Sequence, residues 1–385
     1  MKWEKVKLGE LYEVHNGLSK AGKFFGEGYP FLTFSTVFNN YFIPKQITDL
    51  VQSTEKEQES YSIRRGDVFV TRTSETSDEL GMSCVALKDY PMATYNGFTK
   101  RMRPITNRVF PEYIGYYMRL PSFRGEFRAF STMTTRASLR NEDLLGLEVK
   151  LPSIEIQKKI ADILSAYDDL IENNQKQIKL LEEAAQRFYK EWFVDLRFPG
   201  HENTKIVDGV PEGWIKEEIG KIIKKVHRTK QIVASEYRDE GSIPIVDQSR
   251  AFVAGYTNDL EARVDFGIPI IVFGDHTRIV KLIQFPFAKG ADGTQLIISD
   301  CLEMPQRLLY CSIMNVDLSN YHYARHFKYL KEEKIMIPTV KVANEFENNV
   351  TGIFSKIQNC RDEIIRCQKT RNLLLPKLMS GEVEV

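Results

Sequence analysis

Two long segments of the chain repeat apolar residues at the spacing of a coiled coil. The first runs from about 153 to 193 after Leu151-Pro152, and the second follows Ile337-Pro338. Intervals of four and three residues alternate in both, which predicts helices that each bury one narrow stripe. The first stripe comprises Ile156, Ile160, Ile163, Tyr167, Leu170, Asn174, Gln177, Leu181, Ala184 and Phe188. The second comprises Ala343, Phe346, Val350, Ile353, Ile357, Cys360, Ile364, Cys367, Arg371 and Leu374.

Each predicted helix is long, at roughly 60 Å for about 40 residues and roughly 52 Å for about 35. Neither helix can bury its stripe alone, so we expect the two to pair as an antiparallel coiled coil. Asn174 and Gln177 lie in the first stripe, where buried amides either fix the register of the pair or flank a kink. We expect Pro376 to end the second helix, because proline lacks the N–H that a helix interior needs.

The stretches outside these helices have the pattern of mixed α/β domains. Short β-branched runs broken by Gly, Pro and Asn predict strands in both stretches. These runs lie at 29–37, 67–71, 243–247 and 268–273. The sequence therefore predicts two globules, each followed by a long helix.

A weak internal repeat supports the same plan. Each copy opens with a tryptophan and a later apolar-Gly pair, at Trp3 with Leu8-Gly9 and at Trp214 with Ile219-Gly220. One long repeat of this kind indicates a duplication rather than a solenoid. We therefore predict an α+β protein in which two similar α/β domains are separated by two long antiparallel coiled-coil helices. The predicted parts are 1–150 (first globule), 151–199 (first long helix), 200–336 (second globule) and 337–385 (second long helix and tail).

Composition narrows the class of protein. The 385 residues carry a net charge of only +1 and are 42% hydrophobic, as in ordinary globular proteins. Five cysteines form no CxxC pair, which favours a reducing compartment. The first residues contain no apolar targeting stretch, and no apolar run is long enough to cross a bilayer. We expect a cytoplasmic protein.

Positive charge is concentrated in residues 94–140, which contain nine Lys or Arg against two Glu, with aromatic residues interleaved. Clustered cations are typical of phosphate binding, although a solvated helix face has the same composition. Arginine can also pair with guanine and glutamine with adenine. The candidate DNA contacts of the first globule are Arg72, Thr73, Ser74, Lys100, Arg101, Arg103, Thr134, Thr135 and Arg136. Those of the second are Gln248, Arg250, His276, Arg278, Lys289, Arg325, His326 and Lys328.

Motifs of catalysis are missing from the sequence. It contains no GxxxxGK[ST], no GxGxxG after a strand, no HExxH, no GxSxG and no Cys/His zinc spacing. It also lacks the Asn-Pro-Pro-aromatic tetrapeptide of adenine methyltransferases. We therefore expect no catalytic residue, no cofactor and no metal in this chain, and a function in recognition.

Four segments resemble the specificity subunits of type I restriction-modification systems. Residues 151–164 resemble the start of that family's central conserved region, and residues 189–202 resemble its end. Residues 211–214, Pro-Glu-Gly-Trp, are similar to the opening of the second recognition domain, and residues 375–382 to the C-terminal signature. One departure is the segment 342–345, Val-Ala-Asn-Glu, where the family usually has a Glu-Gln pair.

The resemblance implies a DNA-binding subunit that does not itself catalyse a reaction. Each globule would be a target recognition domain that reads one half of an asymmetric, bipartite site on double-stranded DNA. The long helices would bind two methyltransferase subunits, which carry S-adenosylmethionine and methylate adenine, and motor-nuclease subunits would join for restriction. The resemblance assigns no base-contacting residue. A structural coiled-coil adaptor and a fragment of a fused restriction-methyltransferase remain alternatives.

Overall fold

The computed structural model describes residues 3–74, 80–129, 137–226, 229–290, 292–321 and 325–385. Within these residues the chain forms two compact units. Unit 1 comprises Met1–Ile171 and Ile365–Val385, and unit 2 comprises Glu172–Ile364. Each unit contains one globule with segments of both long helices. The four-part division expected from the sequence stays a prediction.

Unit 1 is a mixed globule built on a small antiparallel sheet. Its strands are β1 (Glu4–Lys7), β2 (Tyr12–Asn16), β3 (Phe25–Leu32), β4 (Leu50–Val51), β5 (Val68–Thr71), β6 (Thr73–Ser74), β7 (Ser83–Val85), β8 (Thr94–Tyr95), β9 (Thr99–Pro104), β10 (Ala137–Ser138) and β11 (Glu148–Leu151). Its helices are α1 (Leu8–Leu11), α2 (Phe34–Asn39), α3 (Glu55–Ser60), α4 (Pro111–Tyr117), α5 (Pro121–Ala129) and α6 (Asn141–Gly146), and α7 (Ile154–Tyr189) begins here.

The main sheet of unit 1 has the order β2-β9-β5-β7. Both faces of β5 are covered, since every residue from Val68 to Thr71 is buried, which explains its continuous β-branched and aromatic sequence. Tyr113 and Tyr116 of α4 and Phe127 of α5 are fully buried in the same core. Burial of aromatic side chains of this size is a large part of the stability of the unit.

Unit 2 has a comparable mixture of strands and helices. Its strands are β12 (Ile206–Val207), β13 (Val210–Pro211), β14 (Ile215–Glu218), β15 (Ile243–Val246), β16 (Gly255–Thr257), β17 (Arg263–Val264), β18 (Ile270–Gly274), β19 (Val280–Ile283), β20 (Phe287–Lys289), β21 (Thr294–Ile297) and β22 (Lys334–Ile337). Its helices are α8 (Gln306–Met314) and α9 (His326–Glu332), and α10 (Val340–Ser380) begins here. The larger sheets have the orders β16-β15-β20-β17 and β19-β18-β21.

The duplication is confirmed by matching strand pairs. In unit 1, β1 runs antiparallel to β11, the last strand before α7. In unit 2, β14 runs antiparallel to β22, the last strand before α10. The apolar-Gly pair follows in both copies. A Cβ at Gly9 would lie 3.2 Å from the carbonyl oxygen of Leu145, and one at Gly220 would lie 3.0 Å from that of Lys331. The repeated glycine therefore allows the same close backbone approach in each unit.

The long helices pack against each other inside each unit. In unit 1, Ile160 and Leu164 near the start of α7 share a core with Leu378 near the end of α10. In unit 2, Tyr189 at the end of α7 packs edge-on against Phe346 near the start of α10, with ring centroids 6.4 Å apart. The pairing is therefore antiparallel, as the sequence predicts.

The predicted stripe of α7 is only partly correct. Ile160 and Asn174 are buried, but Leu170 is 43% exposed and Ile171 is buried in its place. Ala184 is likewise exposed, whereas Ala185 is buried. A straight helix advances 3.6 residues per turn, so a stripe written with a strict heptad drifts off the buried face.

The two helix ends also differ from expectation. The α-helical part of the first long helix ends at Tyr189, and a π-helical turn, Lys190–Val194, follows and carries the buried Trp192 and Phe193. Pro376 does not end the second helix, which continues to Ser380. Pro376 itself is exposed, while Leu378 and Met379 beyond it are buried in unit 1. Burial of this last turn outweighs the hydrogen bond that proline removes.

Candidate nucleic-acid interface

Arg101 of β9 lies inside unit 1. The residue is 3% exposed, and its Nη1 donates a hydrogen bond to the carbonyl oxygen of Ser62 at 2.7 Å. Its guanidinium lies 5.5 Å from the ring centroid of Tyr95. Burial lowers the pKa of Arg101 below its usual value. These contacts commit the side chain to the packing of the unit, and its predicted contact with DNA stays a prediction without structural support.

Arg103 is held by a buried carboxylate. Its Nε donates to Oδ1 of Asp67 at 2.8 Å and its Nη2 to Oδ2 at 2.6 Å, so the pairing is bidentate. Asp67 is fully buried, and the hydrogen bonds that its carboxylate accepts raise the pKa of Arg103. The same Nη2 also donates to the carbonyl oxygen of Ser62 at 3.0 Å. Arg103 therefore neutralises an internal charge, and its predicted DNA contact likewise stays a prediction.

Other arginines of the basic segment have similar internal roles. Arg119 donates to the carbonyl oxygens of Ser83 at 2.7 Å, Val37 at 2.8 Å and Asn40 at 2.7 Å, which joins a strand to the end of α2. Arg124 donates to the carbonyl oxygen of Leu80 at 3.2 Å. Much of the positive charge that the sequence concentrates here is therefore used to satisfy backbone oxygens.

Arg72 and Lys100 form a smaller group at the end of β5. Strand β6 pairs with β10, and the backbone N–H of Leu139 donates to the carbonyl oxygen of Arg72 at 2.9 Å. Nη1 of Arg72 donates to Oδ1 of Asn16 at 3.3 Å, and Nζ of Lys100 donates to Oδ1 of Asn141. Burial, with a further contribution from Arg72, lowers the pKa of Lys100. Two candidate segments that are distant in sequence thus meet.

Five predicted contacts of the first globule are described only in part or lie outside the described residues. Thr73 and Ser74 form β6, but their side chains are not among those described. Thr134, Thr135 and Arg136 lie outside the described residues. Their assignment stays a prediction.

Phe98 is one of the aromatic residues interleaved with the basic segment, although it was not among the predicted DNA contacts. It lies between β8 and β9 and is 57% exposed, although large apolar side chains are usually buried. Its backbone N–H donates to Oδ1 of Asn96 at 2.7 Å, and its carbonyl oxygen accepts from the N–H of Arg72 at 3.0 Å. The segment is thus fixed by hydrogen bonds, one of them to the backbone of Arg72, and it carries an exposed aromatic side chain.

Gln248 of unit 2 forms hydrogen bonds that connect several loops. Its Nε2 donates to the carbonyl oxygen of Asp292 at 2.8 Å, and its Oε1 accepts from the backbone N–H of His276 at 3.1 Å. Its own carbonyl oxygen accepts from Oγ1 of Thr277 at 2.7 Å. Gly293 has a φ of +84°, and a Cβ there would lie 2.7 Å from Nε2 of Gln248. Glycine at this position is required by both the backbone and the contact.

Asp275 joins the start of α9 to the same loops. Its carbonyl oxygen accepts from the N–H of His326 at 2.9 Å, and its Oδ1 accepts from the N–H of Phe327 at 2.8 Å. Arg278 has a φ of +60° and donates through Nη1 to the carbonyl oxygen of Leu318 at 3.1 Å. His326 is buried, its Nδ1 has no hydrogen-bond partner among the described residues, and burial followed by nearby Arg278 lowers its pKa.

We call this group the loop cluster and define it as Gln248, Asp275, His276, Arg278 and His326. All of these residues except Asp275 were predicted as separate DNA contacts, and the structure brings them together. Of the other predicted contacts in unit 2, Arg250, Arg325 and Lys328 are exposed, and Lys289 is half-buried at the end of β20. A group of polar side chains on adjoining loops is suited to hydrogen bonding with base edges and phosphates.

The buried Lys281 binds the loop that carries Gln248 of the loop cluster. It is 5% exposed and its Nζ donates to the carbonyl oxygens of Asp247, at 2.8 Å, and Ala251. The carboxylate of Asp247 is 3.9 Å away. Burial lowers the pKa of Lys281 from 10.5 to about 8. The loop that carries Gln248 and Arg250 is thereby anchored at both ends by one ammonium group.

The sequence reasoning missed a group of exposed lysines in unit 2. Lys224 and Lys225 are exposed, as is Lys331 of α9, and these lysines line one groove together with Lys289. The adjacent lysines at 224 and 225 are a visible signal in the sequence. Lys331 had no such signal, because only the fold brings α9 beside residues 224–225.

The described residues contain no group of three or more His, Cys, Asp or Glu able to hold a metal ion. Among the same residues, no helix is both long and apolar enough to cross a membrane.

Comparison with known proteins gives consistent matches along the chain. Residues 1–183 match the family described as type I restriction modification DNA specificity domain. The chain is 28% identical over 414 residues to the type I restriction enzyme MjaIX specificity subunit of Methanocaldococcus jannaschii, covering 100% of this chain and 94% of that protein. It is 26% identical over 200 residues to the type I restriction enzyme HindI specificity subunit of Haemophilus influenzae, covering 50% of this chain and 41% of that protein.

The fold is also that of a solved structure. The type I restriction-modification system S subunit from M. genitalium superposes with a TM-score of 0.57 at 14% identity, covering 98% of this chain and 96% of that one. The resemblance found in the sequence is therefore confirmed: residues 1–183 match the type I specificity domain, and the whole chain is similar to a type I specificity subunit.

Proposed function

We propose that this chain recognises a specific, bipartite DNA site, with each unit reading one half. The observation that carries this proposal is the duplication. In each unit, the strand that leads into a long helix is paired with an earlier strand of the same unit. These pairs are β1 with β11 and β14 with β22. The loops that follow this shared frame differ, so each unit presents different side chains. Two different readers in one chain suit an asymmetric site.

The proposed contacts in unit 2 centre on the loop cluster. Its loops are held by backbone and side-chain hydrogen bonds, so exposed neighbours such as Arg250 project from a fixed base. In unit 1 the meeting of β6 with β10 favours Arg72 and its surroundings over Arg101 and Arg103. The residues proposed to contact DNA are Arg72, Thr73, Ser74, Lys100, Thr134, Thr135, Arg136, Gln248, Arg250, His276, Arg278, Lys289, Arg325, His326 and Lys328.

The chain is proposed to act without a catalytic site, as one part of a larger complex. Two methyltransferase subunits would bind the long helices and supply S-adenosylmethionine and adenine methylation, and motor-nuclease subunits would add restriction. Exposed apolar residues on the helices support this role, since Leu180 of α7 is 64% exposed and Leu373 of α10 is 59% exposed. Apolar side chains left exposed on a helix are available to a protein partner.

Exchange of one globule tests the proposal. Residues 1–150 are replaced by the equivalent part of another specificity subunit, and methylated sites are mapped in cells that also express the methyltransferase subunit. We expect one element of the site to change while the other element stays the same. Exchange of residues 200–336 is the matched control and should change only the other element.

Two outcomes would contradict the proposal. A single contiguous motif that changes as a whole would mean that the units do not read separate elements. If the complex assembles but does not bind DNA, the chain is a structural adaptor.

A further inference from the structure

A groove of about 760 Å³ opens in unit 2 beside the loop cluster. It is formed by the segment that follows β14, by strands β20 and β21, and by one side of α9. Its lining residues are Gly220, Ile223, Lys224, Lys225, Val226, Thr229, Gln231, Lys289, Gln295, Leu296, Phe327 and Lys331.

The lining of this groove is strongly positive. Lysines contribute from three separate parts of the chain, at 224–225, at 289 and at 331, and no described lining residue is acidic. Two carboxylates interact with these lysines and offset their charge only in part. Oδ1 of Asp300 is 3.6 Å from Nζ of Lys224, and both side chains are more than half exposed. Burial lowers the pKa of Lys289, and the charge of Asp292 opposes this shift. A surface pair of this kind is weak and readily exchanged for another anion.

The lysines are arranged by elements that also carry the loop cluster. Lys289 pairs with Val246 in parallel register, two residues before Gln248. Helix α9 begins with His326 of the loop cluster and carries Lys331 one and a half turns later, where its Nζ lies 5.3 Å from the ring centroid of Phe327. The groove therefore lies on the same elements as the loop cluster that is proposed to read bases.

We propose that this groove binds the sugar–phosphate backbone of the DNA half-site that unit 2 reads. The inference rests on the proposed function and adds to it the place where phosphates are held. Lysine ammonium groups bind phosphate oxygens without regard to sequence, whereas polar loops beside them distinguish bases. The groove would thus fix the position of the DNA, and the loop cluster would supply specificity.

The chemistry of the lining favours a phosphodiester chain over a compact ligand. Small-molecule sites are mostly apolar with a few convergent polar groups. Here the lysines of the lining come from separate elements, and Thr229, Gln231 and Gln295 add neutral hydrogen-bonding groups. Several cations and polar groups in one groove match a polymer with one negative charge at each nucleotide.

The test is a triple variant of the full chain, Lys224→Gln, Lys225→Gln and Lys331→Gln. Its DNA affinity is measured across a range of salt concentrations, with and without the methyltransferase subunits. Each lost phosphate contact should flatten the plot of log affinity against log salt by about 0.9. For three contacts, the wild type should therefore lose roughly 40-fold more affinity than the variant between about 50 and 200 mM salt. The mapped recognition sequence should not change.

A matched control removes the same charge elsewhere in unit 2. Lys205→Gln, Lys216→Gln and Lys341→Gln replace exposed lysines that do not line the groove. This control should keep the wild-type salt slope. DNA in which single phosphates of the half-site are replaced by methylphosphonates adds a second readout. Neutralising a contacted phosphate should weaken binding by the wild type and the control, and should have little effect on the triple variant.

Several results would overturn the inference. An unchanged salt slope in the triple variant, with specific binding intact, would reject the groove and leave the proposed function standing. Loss of methyltransferase assembly without a change in DNA affinity would make the groove a protein-docking surface. Binding of inorganic tripolyphosphate in the groove without any competition against DNA would assign it to a free polyphosphate. If the wild type itself does not prefer its cognate site, the proposed function fails instead.

Discussion

The two units differ in where their clustered positive charges lie. Unit 1 contains the densely basic segment 94–140, yet Arg101, Arg103 and Arg119 of this segment are bound to carbonyl oxygens or to a buried carboxylate. In unit 2, by contrast, loops bring Gln248 and Arg278 into one cluster, and lysines from separate elements line one groove. A local excess of charge in the sequence therefore does not by itself identify a binding surface.

The difference follows from the chemistry of the side chains. A guanidinium offers five donors in a fixed plane, so one arginine can satisfy several backbone oxygens where strands and helices end. Buried arginines with such partners hold a domain together. A lysine on an exposed strand end or helix has no comparable internal task and remains available to an external anion.

The largest effect is expected from Arg103→Ala in unit 1. Removing this side chain leaves the carboxylate of Asp67 buried without its partner, which costs about 3–5 kcal/mol in the free energy of unfolding. Chemical denaturation monitored by circular dichroism measures the loss. The matched control is Arg250→Ala in unit 2, which should change the free energy of unfolding by less than about 0.5 kcal/mol. Equal stability of the two variants would show that Arg103 is not structural and would erase the contrast between the units.

The second effect concerns the buried cation of unit 2. The folded state holds the pKa of Lys281 near 8, and the unfolded chain returns it to 10.5. Between these two values the unfolded chain binds more protons, so stability should rise with pH across that window, by roughly 3 kcal/mol in total. Below pH 8 the full cost of burying the ammonium is present, and above 10.5 it is gone.

Lys281→Met measures this contribution, because methionine has a similar volume and no charge. The difference in free energy of unfolding between the wild type and Lys281→Met is followed from pH 7 to about pH 10. We expect the wild type to gain relative to the variant as the pH rises. If the difference in free energy of unfolding is constant over this range, Lys281 titrates normally. The loop would then not be held by a buried ammonium group with a lowered pKa.

The smallest effect is expected on recognition rather than on folding. Arg250 is exposed on the loop that Lys281 anchors, so Arg250→Ala should leave stability unchanged. If Arg250 pairs with a guanine, the variant should bind the cognate site about 1–3 kcal/mol more weakly and should tolerate other bases at one position of the element read by unit 2. Competition binding against sites substituted at each position provides the measurement. A uniform loss at every position would make Arg250 a phosphate contact instead.

The sequence alone determined the periodic and repeated parts of this protein. Heptad spacing predicted both long helices and their antiparallel pairing, because a long amphipathic helix needs a partner whatever the rest of the fold. The repeated tryptophan and apolar-Gly pair predicted the duplication, and the glycines proved to be sites of close backbone approach in both copies. The motif blocks showed the resemblance to type I specificity subunits that the comparisons confirm.

Only the tertiary structure decided which positions face inward and which cations are free. The buried stripe of α7 moved from Leu170 to Ile171 because real helical geometry drifts from a strict heptad. Helix α10 passed through Pro376 because its last turn is buried in unit 1. Arg103 turned inward because Asp67, 36 residues earlier, is buried beside it, and Lys331 joined Lys224 only through the packing of α9. These outcomes depend on contacts between distant parts of the chain, which no local pattern of residues contains.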